Sequence, residues 1–161
     1  MIILGIDPGL ATTGFGLVRG DKNSVSKLKC VGYGTIETTP DLVLPERLKK
    51  IHTDLCRVIT QYQPQALVME NVFFFKNAKT LIPVSQAQGV ILLAAAKKHL
   101  PVYRYTPIEV KMTVTGFVKS DKKDIQREIR KILRLEEVPK PDDAADALSI
   151  AATYLIRSLN L

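Results

Sequence analysis

Hydrophobic positions in the first part of the chain follow the pattern of strands rather than helices. Residues Ile2–Ile6 form an unbroken apolar run that ends at Asp7, which is typical of a strand buried on both faces. After the loop Pro8–Gly14, the segments Phe15–Val18 and Val31–Thr39 predict a second and a third strand. Because the connections between them are short, we expect these strands to form an antiparallel meander.

The middle of the chain alternates between helical and strand patterns. A helix is predicted after Pro45, where apolar residues recur three or four positions apart (Leu48, Ile51, Leu55, Val58 and Tyr62). Two further strands are predicted at Gln65–Met69 and Val102–Tyr105, the second with both of its tyrosines in the core. A long helix over Ile82–His99, beginning near Pro83, is expected to separate them.

Two more helices are predicted in the last third of the chain. Ser120 is placed to cap the first of them, which has an apolar stripe (Ile125, Ile129, Ile132 and Leu133). The final helix is predicted from about Pro141 to Leu159. Together these elements predict an α/β fold with a mixed five-stranded sheet flanked by helices, and the length of 161 residues predicts a single domain over residues 1–161.

Composition excludes several classes of protein for this chain. Apolar residues make up 46% and charged residues 24% of the chain, which excludes a disordered or membrane-spanning protein. The net charge of +7 favours a polyanionic partner. Cys30 and Cys56 have no metal-binding spacing, and the N-terminus has no signal-peptide pattern, so we expect a cytoplasmic protein with no membrane contact.

Acidic residues occupy positions where carboxylates are seldom found. Asp7 and Glu70 each follow a predicted central strand, and ligands of open α/β sheets bind outside the carboxyl ends of such strands. Asp142, Asp143 and Asp146 open the final helix, where spacings of three and four residues place acids on one face. Each acid also has an ordinary explanation, as a turn former or as a favourable charge at a helix N-terminus.

Carboxylates gathered around one point repel each other and ionise together only when cations hold them. Mg²⁺ prefers oxygen ligands and leaves positions for water and phosphate, and the absence of nearby Cys or His ligands disfavours zinc. Two such ions about 3.5–4 Å apart can stabilise both oxygens of a phosphodiester displacement. The acids and the basic net charge therefore favour phosphate chemistry.

The loop that follows the first predicted strand fits two families of phosphate-handling proteins. Asp7, Gly9 and Gly14 resemble the phosphate loop of actin-like and sugar-kinase ATPases, but that site lies between two such domains and this chain has room for one. Ribonuclease-H-like nucleases use the same strand topology in a single domain. The length therefore favours the nuclease.

The chain resembles the RuvC family of Holliday junction resolvases over essentially its full length. The resemblance is carried by six short motifs in order, which are Ile6–Gly9 with Thr13–Gly14, Met69–Phe73, Lys76–Ala78, Ser85–Val90, Val110–Gly116 and Asp143–Leu148. It implies a ribonuclease-H-like homodimer that nicks two opposed strands of a four-way DNA junction symmetrically in recombination and repair. Water is the implied nucleophile. The implied cofactor is Mg²⁺, with two ions in each active site and Mn²⁺ as a substitute.

The resemblance also assigns roles to individual residues. The catalytic, metal-binding tetrad falls on Asp7, Glu70, Asp143 and Asp146, although spacing alone does not choose Asp143 over Asp142. The active-site lysines fall on Lys111 and Lys122. Contact with a RuvA–RuvB branch-migration complex is a further hypothesis that the resemblance raises.

Basic and aromatic residues supply candidates for DNA contact. Residues 119–134 contain seven basic side chains against three acidic ones, and Lys119, Lys122 and Lys123 begin this run. Such a run is also what a solvated helix face contains. Phe73 and Phe74 follow Glu70 and precede Lys76 and Lys79, and an exposed ring there could stack on an unpaired base. A buried strand end is the ordinary explanation for these aromatic residues.

Two alternatives remain at this stage. A non-catalytic junction-binding protein could keep the fold, although the complete set of four acids argues against it. A ribonuclease acting on RNA–DNA hybrids or folded RNA would have the same fold, and no residue pattern here reads a 2′-hydroxyl. For the homodimer, we expect the Ile82–His99 helix to form the interface.

Overall fold

A five-stranded mixed sheet forms the centre of the structure, a computed structural model that describes residues 1–21, 24–71 and 78–158. Its strands are β1 (Ile2–Asp7), β2 (Thr12–Asp21), β3 (Ser24–Glu37), β4 (Ala66–Glu70) and β5 (Val102–Tyr105). They lie in the order β3-β2-β1-β4-β5. β1, β2 and β3 pair antiparallel, as the predicted meander requires, while β4 and β5 run parallel to β1.

Five helices in the described residues cover the two faces of this sheet. They are α1 (Leu44–Tyr62), α2 (Ala78–Lys97), α3 (Pro107–Thr115), α4 (Lys122–Leu133) and α5 (Asp142–Ser158). α1 and α2 pack on one face, and α3, α4 and α5 pack on the other. The α/β class and the mixed five-stranded sheet predicted from the sequence are thus confirmed. No helix in the described ranges is long and apolar enough to cross a membrane.

Alternation along β1 decides which side chains reach each face. Leu4 and Ile6 are fully buried in the core under α1 and α2, whereas Ile3 belongs to the core under α5. Because successive side chains of a strand point to opposite faces, Asp7 shares the α5 face with Ile3 and Gly5. The same parity on β4 sends Val68 to the α5 face, and Glu70 follows it there.

α5 lies against the sheet at backbone contact distance, on glycines of β1 and β2. A Cβ atom at Gly5 would lie 2.0 Å from the carbonyl oxygen of Ala147, and one at Gly14 would lie 2.1 Å from that of Asp143. Any side chain larger than hydrogen would therefore push the helix away. These contacts fix the height of α5 over β1.

Three local expectations were wrong. α2 begins at Ala78, so Pro83 is its sixth residue instead of its start, and the missing N–H of this proline costs the helix one intrahelical hydrogen bond. Tyr103 is 43% exposed because β5 is an edge strand, so it is not a core residue. Asp121, and not Ser120, caps α4, because its carboxylate accepts the backbone N–H of Asp124.

Candidate active site

Asp7 and Glu70 end two neighbouring parallel strands. Ile6 of β1 pairs with Met69 of β4, so the next residue of each strand lies at the same edge of the sheet. Both side chains are partly buried, and both belong to the α5 face by strand parity. The strand register therefore brings together two of the predicted acids that are far apart in the sequence.

The N-terminal turns of α5 complete the acidic cluster. Asp143 and Asp146 are both partly buried, whereas Asp142 beside them is exposed. The close contact of Asp143 with Gly14 places the start of α5 over the end of β1. The structure thus brings Glu70, Asp143 and Asp146 near enough to Asp7 for their charges to act on its carboxyl.

The pKa of Asp7 measures how strongly these acids interact. Burial, together with the negative charges of Asp146, Glu70 and Asp143, raises the pKa of this carboxyl from 3.8 to about 7. Lys122 acts in the opposite direction. At neutral pH without a cation, Asp7 is consequently close to half protonated.

Lys122 forms ion pairs with the acids at the start of α5. Its ammonium lies 3.1 Å from a carboxylate oxygen of Asp146 and 3.4 Å from one of Asp142. Partial burial opposes the charge on Lys122, but its hydrogen bonds and attraction to Asp146 and Asp142 together raise its pKa. Burial raises the pKa of Asp146, and Lys122 counteracts part of that increase.

Asp142 and Asp143 differ in what they contact, which the spacing could not show. Asp143 is among the charges that raise the pKa of Asp7, while Asp142 is not. Asp142 instead accepts a hydrogen bond of 2.9 Å from the side-chain amide of Gln126 and pairs with Lys122. Sequence reasoning missed this contact, because it depends on how α4 lies beside α5.

A cavity of about 210 Å³ opens beside the acids. Its polar lining consists of Asp7, Glu70, Lys111, Lys122, Asp146 and Ser149, and its apolar lining of Pro107, Val110, Ile125 and Ile150. Both lysines predicted for the site therefore face the same space as the acids. The apolar side chains lower the local dielectric constant, which strengthens the interactions between charges there.

The predicted DNA contacts fall into two groups. Phe73, Phe74 and Lys76 lie outside the described residues, and Lys79 lies in the first turn of α2 with a side chain that is not described. Lys119 and Lys123 are exposed on the loop before α4 and on its first turn, beside Lys122. Of the described lysines, Lys111 and Lys122 line the cavity, and Lys119 and Lys123 are exposed near Lys122 in the sequence.

The chemistry of the acids fits a hard divalent cation. The cluster offers only carboxylate oxygens, and burial and the neighbouring acids both raise the pKa of Asp7 by opposing its negative charge. Within the described ranges, no group of three or more His, Cys, Asp or Glu side chains is already close enough to hold an ion. The ammonium of Lys122 instead supplies positive charge at Asp146.

The site combines acids at the ends of parallel strands with lysines that line the same cavity, on a ribonuclease-H-like sheet. Together these features define a nuclease that hydrolyses phosphodiesters. A family model described as "Crossover junction endodeoxyribonuclease RuvC" matches residues 3–154. The chain therefore belongs to the RuvC family of crossover junction endodeoxyribonucleases, which are metal-dependent Holliday junction resolvases.

Individual relatives cover nearly the whole chain. The crossover junction endodeoxyribonuclease RuvC of Caldicellulosiruptor saccharolyticus is 44% identical over 158 residues, which are 98% of this chain and 94% of the relative. That of Desulforamulus reducens is 47% identical over 154 residues, covering 96% and 93% of the two chains. The structure of T. thermophilus RuvC in complex with a Holliday junction substrate superposes with a TM-score of 0.93 at 32% identity and covers 99% of this chain and 96% of that one.

Proposed function

We propose that this chain cuts four-way DNA junctions in recombination and repair by nicking two opposed strands symmetrically. The products are 5′-phosphate and 3′-hydroxyl ends that a ligase can join. The observation that carries this proposal is the cluster of four acids beside two cavity-lining lysines. The similar T. thermophilus structure is a complex with a Holliday junction, which supports the choice of substrate.

We infer Mg²⁺ as the cofactor, with two ions in each site and Mn²⁺ as a substitute. Asp7, Glu70, Asp143 and Asp146 would hold these ions, because they are the carboxylates that interact through Asp7. When bound, Mg²⁺ supplies positive charge for the transition state and lowers the pKa of an attacking water. Holding the cations would require Asp7 in its ionised form, and burial, together with the neighbouring negative charges, raises its pKa to about 7.

The two lysines act on the phosphate and on the acids. Lys122 compensates the charge of Asp146 and also lines the cavity, where its ammonium would be available to a substrate phosphate. Lys111 lines the same cavity from α3, where its ammonium can stabilise the charge that develops on the phosphate oxygens. Each lysine therefore supports the reaction from a different helix.

DNA is held by the lysines at the start of α4 and by the segment after β4. Lys119, Lys122 and Lys123 contact backbone phosphates, which gives affinity and register but no sequence information. Phe73 and Phe74 stack on bases at the centre of the junction, with Lys76 and Lys79 on the neighbouring phosphates. Salt is expected to weaken binding steeply, because each phosphate contact releases counterions.

Two symmetric cuts require two active sites, so we propose a homodimer formed through α2. Exposed apolar or small side chains recur along one face of this helix, at Ile82, Gly89, Leu93 and Ala96. A Cβ at Gly89 would meet nothing within 4 Å, so this face is open to a second copy. We place the enzyme in the cytoplasm, and contact with a RuvA–RuvB complex stays a prediction. The assignment of residues 1–161 to one nuclease domain belongs to the same proposal.

Cleavage of a synthetic four-way junction with mapped products tests the function. In Mg²⁺ we expect paired nicks at symmetry-related positions with ligatable ends, and no cutting in EDTA. A linear duplex of the same sequence and an RNA–DNA hybrid serve as parallel substrates. Equal cleavage of the hybrid would favour the ribonuclease alternative, and binding without cleavage would favour a non-catalytic junction-binding protein.

A further inference from the structure

The loop between α3 and α4, residues 116–121, carries two exposed apolar side chains. Phe117 is 72% exposed, more than any other large hydrophobic residue in the described part of the chain, and Val118 is 50% exposed. Isolated exposed hydrophobic residues are ordinary on protein surfaces. The hydrogen bonds that fix this loop and the charges around it distinguish this pair from such isolated residues.

Hydrogen bonds fix the backbone of Phe117 while its ring faces solvent. Its N–H donates to the hydroxyl of Thr115 at 3.1 Å, and its carbonyl accepts from the hydroxyl of Ser120 at 2.9 Å. The two hydroxyls are themselves 2.6 Å apart, and Ser120 is buried. Gly116 ends α3 in a left-handed conformation with φ of 79°, and its N–H donates to Met112. These hydrogen bonds therefore hold the backbone of the loop in one conformation.

The loop joins the two helices that carry the active-site lysines. Lys111 of α3 and Lys122 of α4 both line the cavity beside the acids. Phe117 lies five positions before Lys122, which limits the distance between their Cα atoms to about 18 Å, because an extended chain spans about 3.6 Å per residue. At about 3.4 Å per nucleotide, the ring reaches bases within about five positions of the cleaved bond.

Charge around the loop favours nucleic acid over protein as its partner. Lys119 and Lys123 are exposed on either side of the start of α4, next to Lys122. The two aspartates nearby, Asp121 and Asp124, accept backbone N–H groups from each other's residues in the capping box of α4. Their negative charge thus serves the helix N-terminus, while the lysines present theirs to a ligand.

We propose that Phe117 stacks on an unpaired base of the junction strand near the cleaved phosphate, with Val118 packing against the adjacent sugar. This contact rests on the proposed function and adds a base contact on the side of the cavity formed by α3 and α4. An aromatic ring held on a fixed backbone loses little conformational freedom when it binds. The Thr115–Ser120 hydroxyl pair positions the ring and makes no contact with DNA itself.

Junction binding by Phe117→Ala tests the contact. Titrations in EDTA, where hydrolysis is blocked, would use a junction with 2-aminopurine at successive positions within five nucleotides of the cut. We expect Phe117→Ala to weaken junction binding by roughly five- to hundredfold, the range of one base–aromatic stack. The 2-aminopurine fluorescence change should disappear with it, and Phe117→Trp should restore both. Val43→Ala, which removes a side chain that is 66% exposed before α1, serves as the control and should change neither.

Several outcomes separate this contact from other roles of the loop. Unchanged junction affinity and fluorescence in Phe117→Ala would overturn it, as would an equal weakening of binding to a linear duplex, in which no base is unpaired. Conversion of a dimer to a monomer in sedimentation would show that the ring contacts protein. If wild-type protein neither binds nor cuts the junction, the proposed function fails; if wild-type protein does both and Phe117→Ala matches it, only the Phe117 contact fails.

Discussion

The acids of the site and its lysines are held in opposite ways. The acids lie at strand ends and in the first turns of α5, where strand register and glycine contacts fix the backbone. The lysines extend from α3 and α4, and Lys122 keeps a side chain that is 52% exposed. The difference implies that small changes in backbone position disable the acids, whereas loss of a lysine has a graded effect.

The largest effect is expected from removing an acid. Asp7→Asn should reduce junction cleavage by more than about a thousandfold, because a single electrostatic donor in an active site is already worth about 10²–10³. Junction binding at fixed salt should stay close to that of the wild type, because the acids repel DNA. Cleavage and gel-shift assays on one synthetic junction measure both, with the exposed Asp41→Asn as control. Loss of binding would show that the acids also hold the DNA.

The next effect concerns how the acids are positioned. Gly14→Ala should destabilise the fold by about 1–3 kcal/mol, because its Cβ would lie 2.1 Å from the backbone oxygen of Asp143 and α5 must move. Cleavage should fall with it even where the protein remains folded. Gly34→Ala is the matched control, since its Cβ would meet only the ring of Phe15, at 3.0 Å. Urea unfolding measures the loss of unfolding free energy in both variants. An equal loss in Gly14→Ala and Gly34→Ala would contradict a special role for the contact between Gly14 and α5.

Removing a lysine should have a smaller, graded effect. Lys122→Met is expected to lower the cleavage rate by about ten- to a hundredfold, because positive charge is lost beside the reacting phosphate while the acids keep their places. Lys119→Met should instead weaken binding and reduce its salt dependence without changing the rate at saturation. Single-turnover kinetics at saturating protein separate the two effects. A reversed pattern would place Lys119, and not Lys122, beside the reacting group.

The titration of Asp7 connects the acids to stability. Its pKa is raised from 3.8 to about 7, so the folded protein binds the proton more tightly than the unfolded chain. Stability therefore rises as pH falls through 7, and metal-free protein should gain about 1 kcal/mol between pH 8 and pH 6. The difference between wild type and Asp7→Asn in unfolding experiments isolates this contribution. Mg²⁺ affinity should rise with pH over the same interval, and a flat difference would contradict the burial of Asp7.

The sequence contained more information about the acids than about the lysines. Apolar runs ending in Asp7 and Glu70 predict strand ends, and parallel strands then place both acids at one edge without further knowledge. Which aspartate joins them depends on the height and rotation of α5, and these are set by contacts with Gly5 and Gly14 that no local pattern reveals. The partners of Lys122 depend likewise on the packing of α4 beside α5. The start of α2 was misplaced because a proline typically marks the first turn of a helix, whereas Pro83 lies inside α2.

The smallest effect is expected at Asp142, where the acids and the lysines meet. Asp142 is 61% exposed and lies 3.4 Å from Lys122, and exposed ion pairs contribute about 0–1 kcal/mol. Asp142→Asn should keep the hydrogen bond from Gln126 and change junction cleavage by less than about threefold. Asp143→Asn, one residue along the same helix, should lose more than about a hundredfold, because its carboxylate interacts with Asp7. Assayed side by side on one junction, the two variants test the assignment directly, since equal losses would extend the acidic cluster to Asp142.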